Sequence, residues 1–310
     1  MDKAEQYLRK FDLVVFGSDF EGLNLSELRC KFVVKRSDTM TPNIADIRVY
    51  NVAEQTALRI RQEFKRVVLQ AGYEGNYGVI FQGNIKQVII GRESATDTYI
   101  DIVAGDGDRA YNFSIVNTTL AGGSGLADQV QASIGSMAPN GVAAGFLGDF
   151  GGEVLPRAKV MYGNSRNYLR DVAQTTNKTW SIQDEKVTFV SKKSYLPGER
   201  VVLTSKTGMI GTPQQTNEGV NVKCLLNPML KIGGLVDIDN KSIERLKINL
   251  SVAGSPSNIP APLTADGAYY LLVVEHQGDT RGVDWYSNLI CLNADISANP
   301  RNAVQTNYGG

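Results

Sequence analysis

The amino-acid sequence predicts a mainly β protein with an α+β insert between two β regions. Apolar and polar residues alternate through most of the first hundred residues and again after residue 199, the pattern of half-buried strands. Helix-period spacing is concentrated between these regions. At ~100 to 150 residues per domain, a chain of 310 residues accommodates two or three domains.

The first β region is predicted at residues 11–120. Phe11, Leu13 and Val15 alternate with polar neighbours, and the same pattern continues in later strands. One helix interrupts the strands after Asn51, a residue type that favours the N-cap position. The glycines and asparagine of residues 72–78, GYEGNYG, predict a hairpin turn that returns the chain to strand.

The α+β insert is predicted at residues 121–198, beginning with the pattern-breaking run AGGSG. Helical spacing follows in LADQVQASIGSM, residues 126–137, and in SRNYLRDVAQTT, residues 165–176. The next segment, TWSIQDEKVTFV, predicts a hairpin that turns at Asp184-Glu185. We therefore expect a small module of helices and one hairpin.

A glycine-rich stretch, PNGVAAGFLGDFGG at residues 139–152, lies inside this insert. Its glycines disfavour a packed helix or strand, so we predict a mobile or partner-ordered loop. The large apolar side chains of Phe146 and Phe150 would then be available for an interface. We predict both residues as interface candidates.

The second β region is predicted at residues 199–293. Val220, Val222 and Cys224 alternate with polar neighbours. A polar connection at 241–266 precedes the last strands, and periodicity is lost in the tail, 294–310. With residues 1–10 as an N-terminal extension, this completes the predicted domain division.

The charge balance excludes one class of function. The chain has 32 Lys and Arg residues against 32 Asp and Glu residues, so no strong field attracts nucleic acid or anionic lipid.

The three cysteines, at 30, 224 and 291, fit neither a disulfide framework nor a zinc ribbon and favour a reducing compartment. The N-terminus lacks a signal-peptide pattern, and no apolar run is long enough to cross a bilayer.

Candidate catalytic and metal-binding residues are few. His276 is the only histidine, and although Glu275, Asp279 and Asp284 are near it in sequence, no metal-ligand set or positioned nucleophile accompanies it. We predict a structural histidine near a strand end. The sequence offers no catalytic residue, metal ligand or cofactor-binding residue.

Other motif searches lead to the same conclusion. The Asp- and Gly-rich segments 104–109 and 237–244 lack the spacing of a calcium loop and predict turns. No phosphate-binding loop, dinucleotide fingerprint or zinc-protease motif occurs. A pair of carboxylates for glycoside hydrolysis stays open, because such pairs converge only in the folded chain.

The segment GDTRGVDW groups charged and aromatic residues near the C-terminus. Arg281 stands beside Asp279 and Trp285, a composition suited to an ion pair with the guanidinium stacked on the indole ring. An intersubunit clamp and an internal brace for the turn are equally compatible with this pattern. We predict Arg281, Asp279 and Trp285 as further interface candidates.

Longer segments carry a family resemblance. Residues 218–240 and 267–292 resemble the C-terminal part of baseplate hub proteins from contractile phage tails, of the Mu-like and T4-like kind. Residues 46–85 resemble the first domain of that family, and residues 165–190 resemble its small module. The C-terminal segments are the most specific.

The resemblance implies a structural protein without enzymatic residues. Two tail-tube-like β-barrel domains would flank the module in each subunit, and a homotrimer would adapt a threefold central spike to a sixfold tail tube. The partners implied are the tail tube protein, the central spike protein and other baseplate proteins. Phage DNA would pass through the lumen without specific binding, and no stable membrane association is expected. The protein would reside in the virion after assembly in the host cytoplasm.

Two alternatives stay open at the level of sequence. A hub can also carry cell-wall hydrolase activity, although no motif supports this here. A contractile secretion system contains a hub-like spike component that could resemble this chain equally well.

Overall fold

The computed structural model of the chain describes residues 8–17, 22–192, 194–217, 219–244, 263–264 and 267–294. Most of the predicted N-terminal extension, most of the connection at 241–266 and nearly all of the C-terminal tail lie outside these residues. The described strands and helices are, in chain order, β1 Arg9–Gly17, β2 Gly22–Asn24, β3 Cys30–Ser37, β4 Ile44–Tyr50, α1 Glu54–Glu63, β5 Phe64–Tyr73, β6 Asn76–Arg92, β7 Thr98–Gly105, α2 Asp108–Phe113, β8 Ile115–Leu120, α3 Leu126–Met137, β9 Ala143–Ala144, β10 Lys159–Asn164, α4 Ser165–Thr175, β11 Lys178–Gln183, β12 Lys186–Ser191, β13 Val201–Leu203, β14 Met209–Gln215, β15 Val220–Leu225, β16 Leu235–Ile238, β17 Ala268–Asp279 and β18 Trp285–Asn293.

One 13-stranded sheet runs through both β regions. Its main order is β14-β15-β18-β17-β3-β4-β7-β6-β5-β1-β2, and β13 and β16 branch from β17. The mainly β class is therefore confirmed. In place of two closed barrels, the described strands form one open sheet, because β17 pairs with β18 on one edge and with β3 on the other. The edge that could have closed a separate barrel instead joins the two regions.

The long strand β6 turns the sheet around the first core. Its residues 76–84 pair with β5, and its residues 84–92 pair with β7. A Cβ atom at Gly83 would lie 2.5 Å from the carbonyl oxygen of Gly105, so this corner requires glycine. The predicted turn at GYEGNYG is confirmed, since β5 and β6 form an antiparallel hairpin.

Buried apolar residues form a separate cluster in each part of the chain. The first cluster combines β1, β3 to β7 and α1, and it also contains Leu226 and Trp285 from the second β region. A second cluster is built from strands after residue 200. Because Trp285 inserts into the first cluster, burial of apolar surface holds the two β regions together.

The central module packs two helices against a hairpin. Helices α3 and α4 lie on the predicted segments, and the Asn164 side chain caps α4 by accepting from the backbone N–H of Arg166. Strands β11 and β12 pair around Asp184 and Glu185, whose φ angles are 53° and 59°. The predicted hairpin and its turn are confirmed, and left-handed backbone at both central positions matches a two-residue hairpin loop.

Two local predictions are wrong. Asn51 is not the N-cap of α1, because Ala53 occupies that position and the Asn51 side chain instead accepts from the backbone N–H of Thr98. The glycine-rich stretch also contains a short strand, β9, which pairs in parallel with β12. A tertiary partner at β12 supplies the hydrogen bonds that the local pattern does not predict.

Candidate functional site

One face of the large sheet is open to solvent across both β regions. Strands β15, β18, β17, β3, β4, β7 and β6 turn alternate side chains to this side, while the intervening ones enter the buried clusters. We call this surface the open face and define it by the residues on this side, all of which reach solvent except the buried Asp279: Lys31, Val33, Lys35, Ile44, Asp46, Arg48, Ile89, Asp101, Val103, Asn221, Lys223, Glu275, Gln277, Asp279, Tyr286 and Asn288.

Strand register arranges oppositely charged side chains of the open face side by side. In one row, Arg48 lies opposite Asp101, and its Nε and Nη2 donate to the carboxylate at 2.7 and 2.8 Å. This hydrogen-bonded carboxylate raises the pKa of the guanidinium further. Lys31 follows in the same row, with its Nζ 3.9 Å from Asp279 Oδ2.

A second row crosses from one β region to the other. Lys35 of β3 lies opposite Glu275 of β17, and their charged atoms are 3.4 Å apart. Farther along, the Nζ of Lys223 lies 3.5 Å from the ring centroid of Tyr286, a cation–π distance. Each cation in these rows thus has an anionic or aromatic neighbour.

Two open depressions mark the same face. One, of about 410 Å³, lies against β3, β4 and β7, and the other, of about 550 Å³, lies against β14, β15 and β18. No set of three or more His, Cys, Asp or Glu side chains with metal-site spacing occurs in the described parts of the chain. On this face, positively and negatively charged side chains lie in contact and neutralise one another.

The predicted group around Arg281 is rearranged. Asp279 pairs with the guanidinium of Arg29 at 2.8 Å, and Arg281 reaches the same carboxylate only through its backbone N–H. Burial opposes ionisation of Asp279, but the hydrogen bonds from Arg29 and from the Arg281 backbone, together with the positive charges of Arg29 and Lys31, lower its pKa. The guanidinium over the Trp285 ring is that of Arg9, at 5.4 Å. The prediction that the Arg281 guanidinium pairs with Asp279 and stacks on Trp285 is therefore wrong.

Trp285 itself is an internal residue. It is 2% exposed, lies edge-on to Phe32 at 5.5 Å and donates its Nε1–H to the carbonyl of Gly72. Arg281 is exposed and donates to the carbonyl of Glu27. The interface roles of Arg281, Asp279 and Trp285 stay predictions, and of the three only Arg281 is exposed.

The two phenylalanines of the glycine-rich stretch lie in different surroundings. Phe150 is buried in the module core, edge-on to Phe189 at 5.1 Å, with the Nζ of Lys178 4.0 Å from its ring centroid. Phe146 remains 42% exposed. Of the two phenylalanines predicted as interface residues, only Phe146 is therefore accessible to a partner.

His276 lies in β17 on the buried side of the sheet. It is 1% exposed, and its Nδ1 is hydrogen-bonded to Ser287 Oγ at 2.8 Å. Burial, together with the nearby positive charge of Arg36, lowers the pKa of His276 to about 3, so the ring is neutral at ordinary pH. We therefore interpret His276 as a structural residue that packs inside the sheet, shielded from solvent.

A buried polar junction fixes the module to the first β region. Asp106, which follows β7, accepts hydrogen bonds from the backbone N–H groups of Asp184 and Glu185, both at 2.8 Å. It also accepts one from an amide N–H of Asn43. Burial nevertheless raises the pKa of Asp106 to about 7. The carboxylate thus holds the hairpin turn of the module in place.

Cations complete this junction. Arg36 is 2% exposed and pairs with Asp184 at 3.0 Å, while Lys231 from the second β region approaches the same carboxylate at 3.4 Å. Arg66 pairs with Glu185. One hairpin turn therefore contacts both β regions.

The cysteines and helices add no further site. Cys30, Cys224 and Cys291 are free and buried, and desolvation raises the pKa of Cys30 and Cys224 to about 12, which disfavours the reactive thiolate. Within the described ranges, helices are too short or too polar to traverse a bilayer.

The sequence predicted the strands of the open face but missed the face itself. Alternation indicates which residues share one side of a strand, yet only the register between distant strands brings Lys35 next to Glu275. Asp106 was likewise interpreted only as part of a turn. Its position after a buried strand was a signal, but the hairpin that it binds is 78 residues away in sequence.

Comparisons with known proteins agree with this architecture. A model of the family described as baseplate hub gp41 matches residues 159–255. The 43 kDa tail protein of prophage MuSo2 from Shewanella oneidensis aligns with a TM-score of 0.58 and 7% identity over 93% of this chain and 100% of that chain. The tail protein from Neisseria meningitidis MC58 aligns with a TM-score of 0.57 and 8% identity over 94% of this chain and 98% of that chain.

A third solved structure comes from a secretion apparatus. It is an Escherichia coli component of the type VI secretion system, described as structurally similar to the T4 bacteriophage tail proteins gp27 and gp5, with a TM-score of 0.53 and 9% identity over 93% of this chain and 77% of that chain. A comparison with curated protein sequences gives no match. The resemblance to phage baseplate hub proteins is confirmed. The TM-scores of the three solved structures, at 7 to 9% identity, show a shared fold.

Proposed function

We propose that three copies of this chain form the ring of a contractile-tail baseplate hub, with the open face lining the channel through which the genome leaves. The ring would adapt a threefold central spike to the sixfold tail tube and contact further baseplate proteins. The match to the hub family and the fold shared with phage tail proteins support this role. They also support a place in the virion. We propose that the hub is assembled in the host cytoplasm.

The observation that carries the proposal is the continuity of the open face. Strand β3 of the first β region pairs directly with β17 of the second, so both regions contribute side chains to one solvent-facing surface. Three such chains would supply six β regions around an axis. Ring closure by a heterologous interface would then leave one continuous inner wall.

The mass of the purified protein in solution tests the ring. We expect a species of three times the 33.8 kDa subunit mass, or that mass plus the mass of the bound spike protein when the spike is added. Light scattering after size-exclusion chromatography measures this directly. A subunit that remains monomeric with both spike and tube proteins present would contradict the proposal.

The proposed role is architectural and not enzymatic. The neutral, buried ring of His276 is unsuited to acid–base catalysis, and the proteins matched are phage tail or secretion components. A peptidoglycan release assay with the purified chain tests the alternative of a hydrolytic hub. Release that is lost on replacement of one carboxylate would favour that alternative.

A second candidate function is the hub-like spike component of a contractile secretion system. The fold shared with the secretion component of Escherichia coli favours it specifically. Mass spectrometry of purified phage particles separates the two functions. Detection of this chain in particles that also contain capsid protein supports the phage hub, and detection only in a secretion complex without capsid protein supports the alternative.

A further inference from the structure

The strands β8 and β10 form a two-stranded sheet of their own. On one side of this sheet Val116 and Met161 are buried. On the other side the apolar side chains of Ile115, Val160 and Tyr162 are each more than half exposed. We call this exposed surface the small-sheet face and define it by Ile115, Asn117, Thr119, Val160 and Tyr162.

The register of the pair leaves one edge of β8 free. The backbone N–H of Tyr162 donates to the hydroxyl of Tyr168 on α4 at 3.0 Å, so it points away from β8. Asn117 lies opposite Tyr162, and in an antiparallel ladder it therefore directs its own N–H and C=O away from β10. Ile115 and Thr119, two positions to either side, do the same. In the described part of the chain these three backbones form no hydrogen bond.

A free edge beside an exposed apolar face is an arrangement to which an extended segment can add as a further strand. Proteins protect such edges with charged residues, proline or a covering element, yet β8, IVNTTL, contains neither a charged residue nor a proline. A two-stranded sheet also gains stability from a third strand. The edge of β8 is therefore suited to pairing with another chain.

An arginine stands near each end of β8. Arg166 engages two neutral groups, since it donates to Asn112 Oδ1 at 3.0 Å and lies 4.8 Å from the ring centroid of Tyr111, shortly before the strand begins. At the other end, Arg157 lies beside Gly122, just after the strand. Among the described residues, neither guanidinium is within 4.0 Å of a carboxylate.

The carboxylates of this part of the chain do not neutralise these arginines. Asp108 pairs with Lys86 at 3.0 Å, and Asp128 accepts the backbone N–H at the start of α3. Glu153 is exposed and forms no ion pair with a described residue. Unpaired positive charge at both ends of β8 therefore favours an acidic occupant, because opposite charges select partners and like charges exclude them.

We propose that the free edge of β8 and the small-sheet face bind an extended, acidic segment of a partner protein as a third strand. The main chain of the segment would bond to Ile115, Asn117 and Thr119, and its acidic residues would meet Arg157 and Arg166. These residues belong to the module and not to the open face. The proposal therefore goes beyond the proposed ring and does not depend on it.

A synthetic peptide tests this, with alternating valine and threonine over about six residues, the length of a typical strand, and glutamates at both ends. The control peptide carries lysines in place of the glutamates. Fluorescence anisotropy measures the affinity of each labelled peptide for the full chain, and hydrogen–deuterium exchange shows where it binds.

Matched variants separate the main-chain and charge contributions. Asn117→Pro removes an N–H that points out of the β8–β10 pair, a position at which an edge strand tolerates proline, and Asn117→Ser keeps that N–H. Arg157→Gln/Arg166→Gln removes the two charges, and Arg59→Gln/Arg61→Gln makes the same charge change on α1.

We expect the acidic peptide to slow amide exchange in β8 and to bind at least about tenfold more tightly than the lysine peptide. Asn117→Pro should weaken its binding at least about tenfold, while Asn117→Ser binds as the wild type does. Only the Arg157→Gln/Arg166→Gln variant should lose the preference for the acidic peptide. Equal affinity of the wild type for both peptides, protection only outside β8, or no binding at all would overturn the proposal.

Solution mass without peptide distinguishes a partner protein from a second copy of the chain. If the wild type and Asn117→Ser form an oligomer that Asn117→Pro dissociates, the strand on β8 comes from another copy, and the proposal is overturned. Should Asn117→Pro fail to fold, Thr119→Pro removes another outward N–H and is expected to weaken peptide binding in the same way. Unchanged binding by that variant would overturn the proposal.

Discussion

The two faces of the large sheet carry different kinds of interaction, and strand β17 shows both. Glu275 points to the open face and pairs with the exposed Lys35, whereas the next residue, His276, is buried and bonded to Ser287. Burial strengthens polar interactions and makes unpaired groups costly, while water weakens the pairs on the open side. The comparison teaches that polar groups on the buried side contribute more to stability than the ion pairs on the exposed side.

The largest expected effect comes from the buried aromatic contact between the two β regions. Trp285→Ala should lower the free energy of unfolding by roughly 3 to 5 kcal/mol, because it leaves a cavity beside Phe32 and removes the bond to Gly72. Urea denaturation measures the change. The adjacent Tyr286→Ala, on the open face, is the control and should cost far less. Equal losses at both positions would break the distinction between the faces.

The second effect concerns the junction at Asp106. Asp106→Ala should cost about 2 to 4 kcal/mol, because the N–H groups of Asp184 and Glu185 and an amide N–H of Asn43 lose their acceptor. Asp46→Ala, which removes an exposed carboxylate from the open face, serves as the control and should change stability by less than about 0.5 kcal/mol. A loss at Asp106 as small as the control would show that the hairpin turn is held by other contacts.

The pH dependence of stability sharpens the same comparison through two opposing buried groups. The pKa of His276 is lowered from 6.5 to about 3, so its contribution is present above pH 6.5 and is lost as pH falls toward 3. The pKa of Asp106 is raised from 3.8 to about 7, so its contribution is present below pH 3.8 and is lost as pH rises through 7.

Between pH 4 and 6.5 these two slopes oppose each other, each by up to about 1.4 kcal/mol per pH unit. In Asp106→Asn the free energy of unfolding should therefore rise with pH more steeply than in the wild type. In His276→Gln it should fall with rising pH. Urea titrations at half-unit pH steps test this, and parallel curves for all three proteins would contradict the assignment of the two groups.

The fold was predictable as far as local pattern determines it. Alternation identified β1, β3 and β15, and it located the Asp184-Glu185 turn, because this polar pair lies between two alternating apolar segments. The joining of the two regions was not predictable. It depends on β3 and β17 pairing across more than 200 residues, and nothing in either strand alone selects that partner.

The candidate site was predictable only in part. Trp285 and Asp279 were recognised as paired residues, but their partners Gly72 and Arg29 are far away in sequence. Local composition instead suggested Arg281, the nearest cation along the chain. A neutral sum of charges was visible in the sequence, whereas the pairing that neutralises the open face required the register of the folded sheet.

The smallest expected effect is on the open face itself. A double-mutant cycle with Lys35→Ala and Glu275→Ala should give a coupling energy below about 1 kcal/mol, because water screens this pair. Chemical denaturation of the four proteins measures it, and the coupling should shrink further at high salt. A coupling of several kcal/mol would mean that the open face contributes to stability as the buried face does.

A reconstruction by electron cryo-microscopy of this chain assembled with the tube and spike proteins tests the ring and the orientation of the open face together. We expect three copies around one axis, with Lys35, Glu275 and Asn288 directed toward a central channel. Density for a partner protein seated across these residues, or a ring that turns them outward, would contradict it.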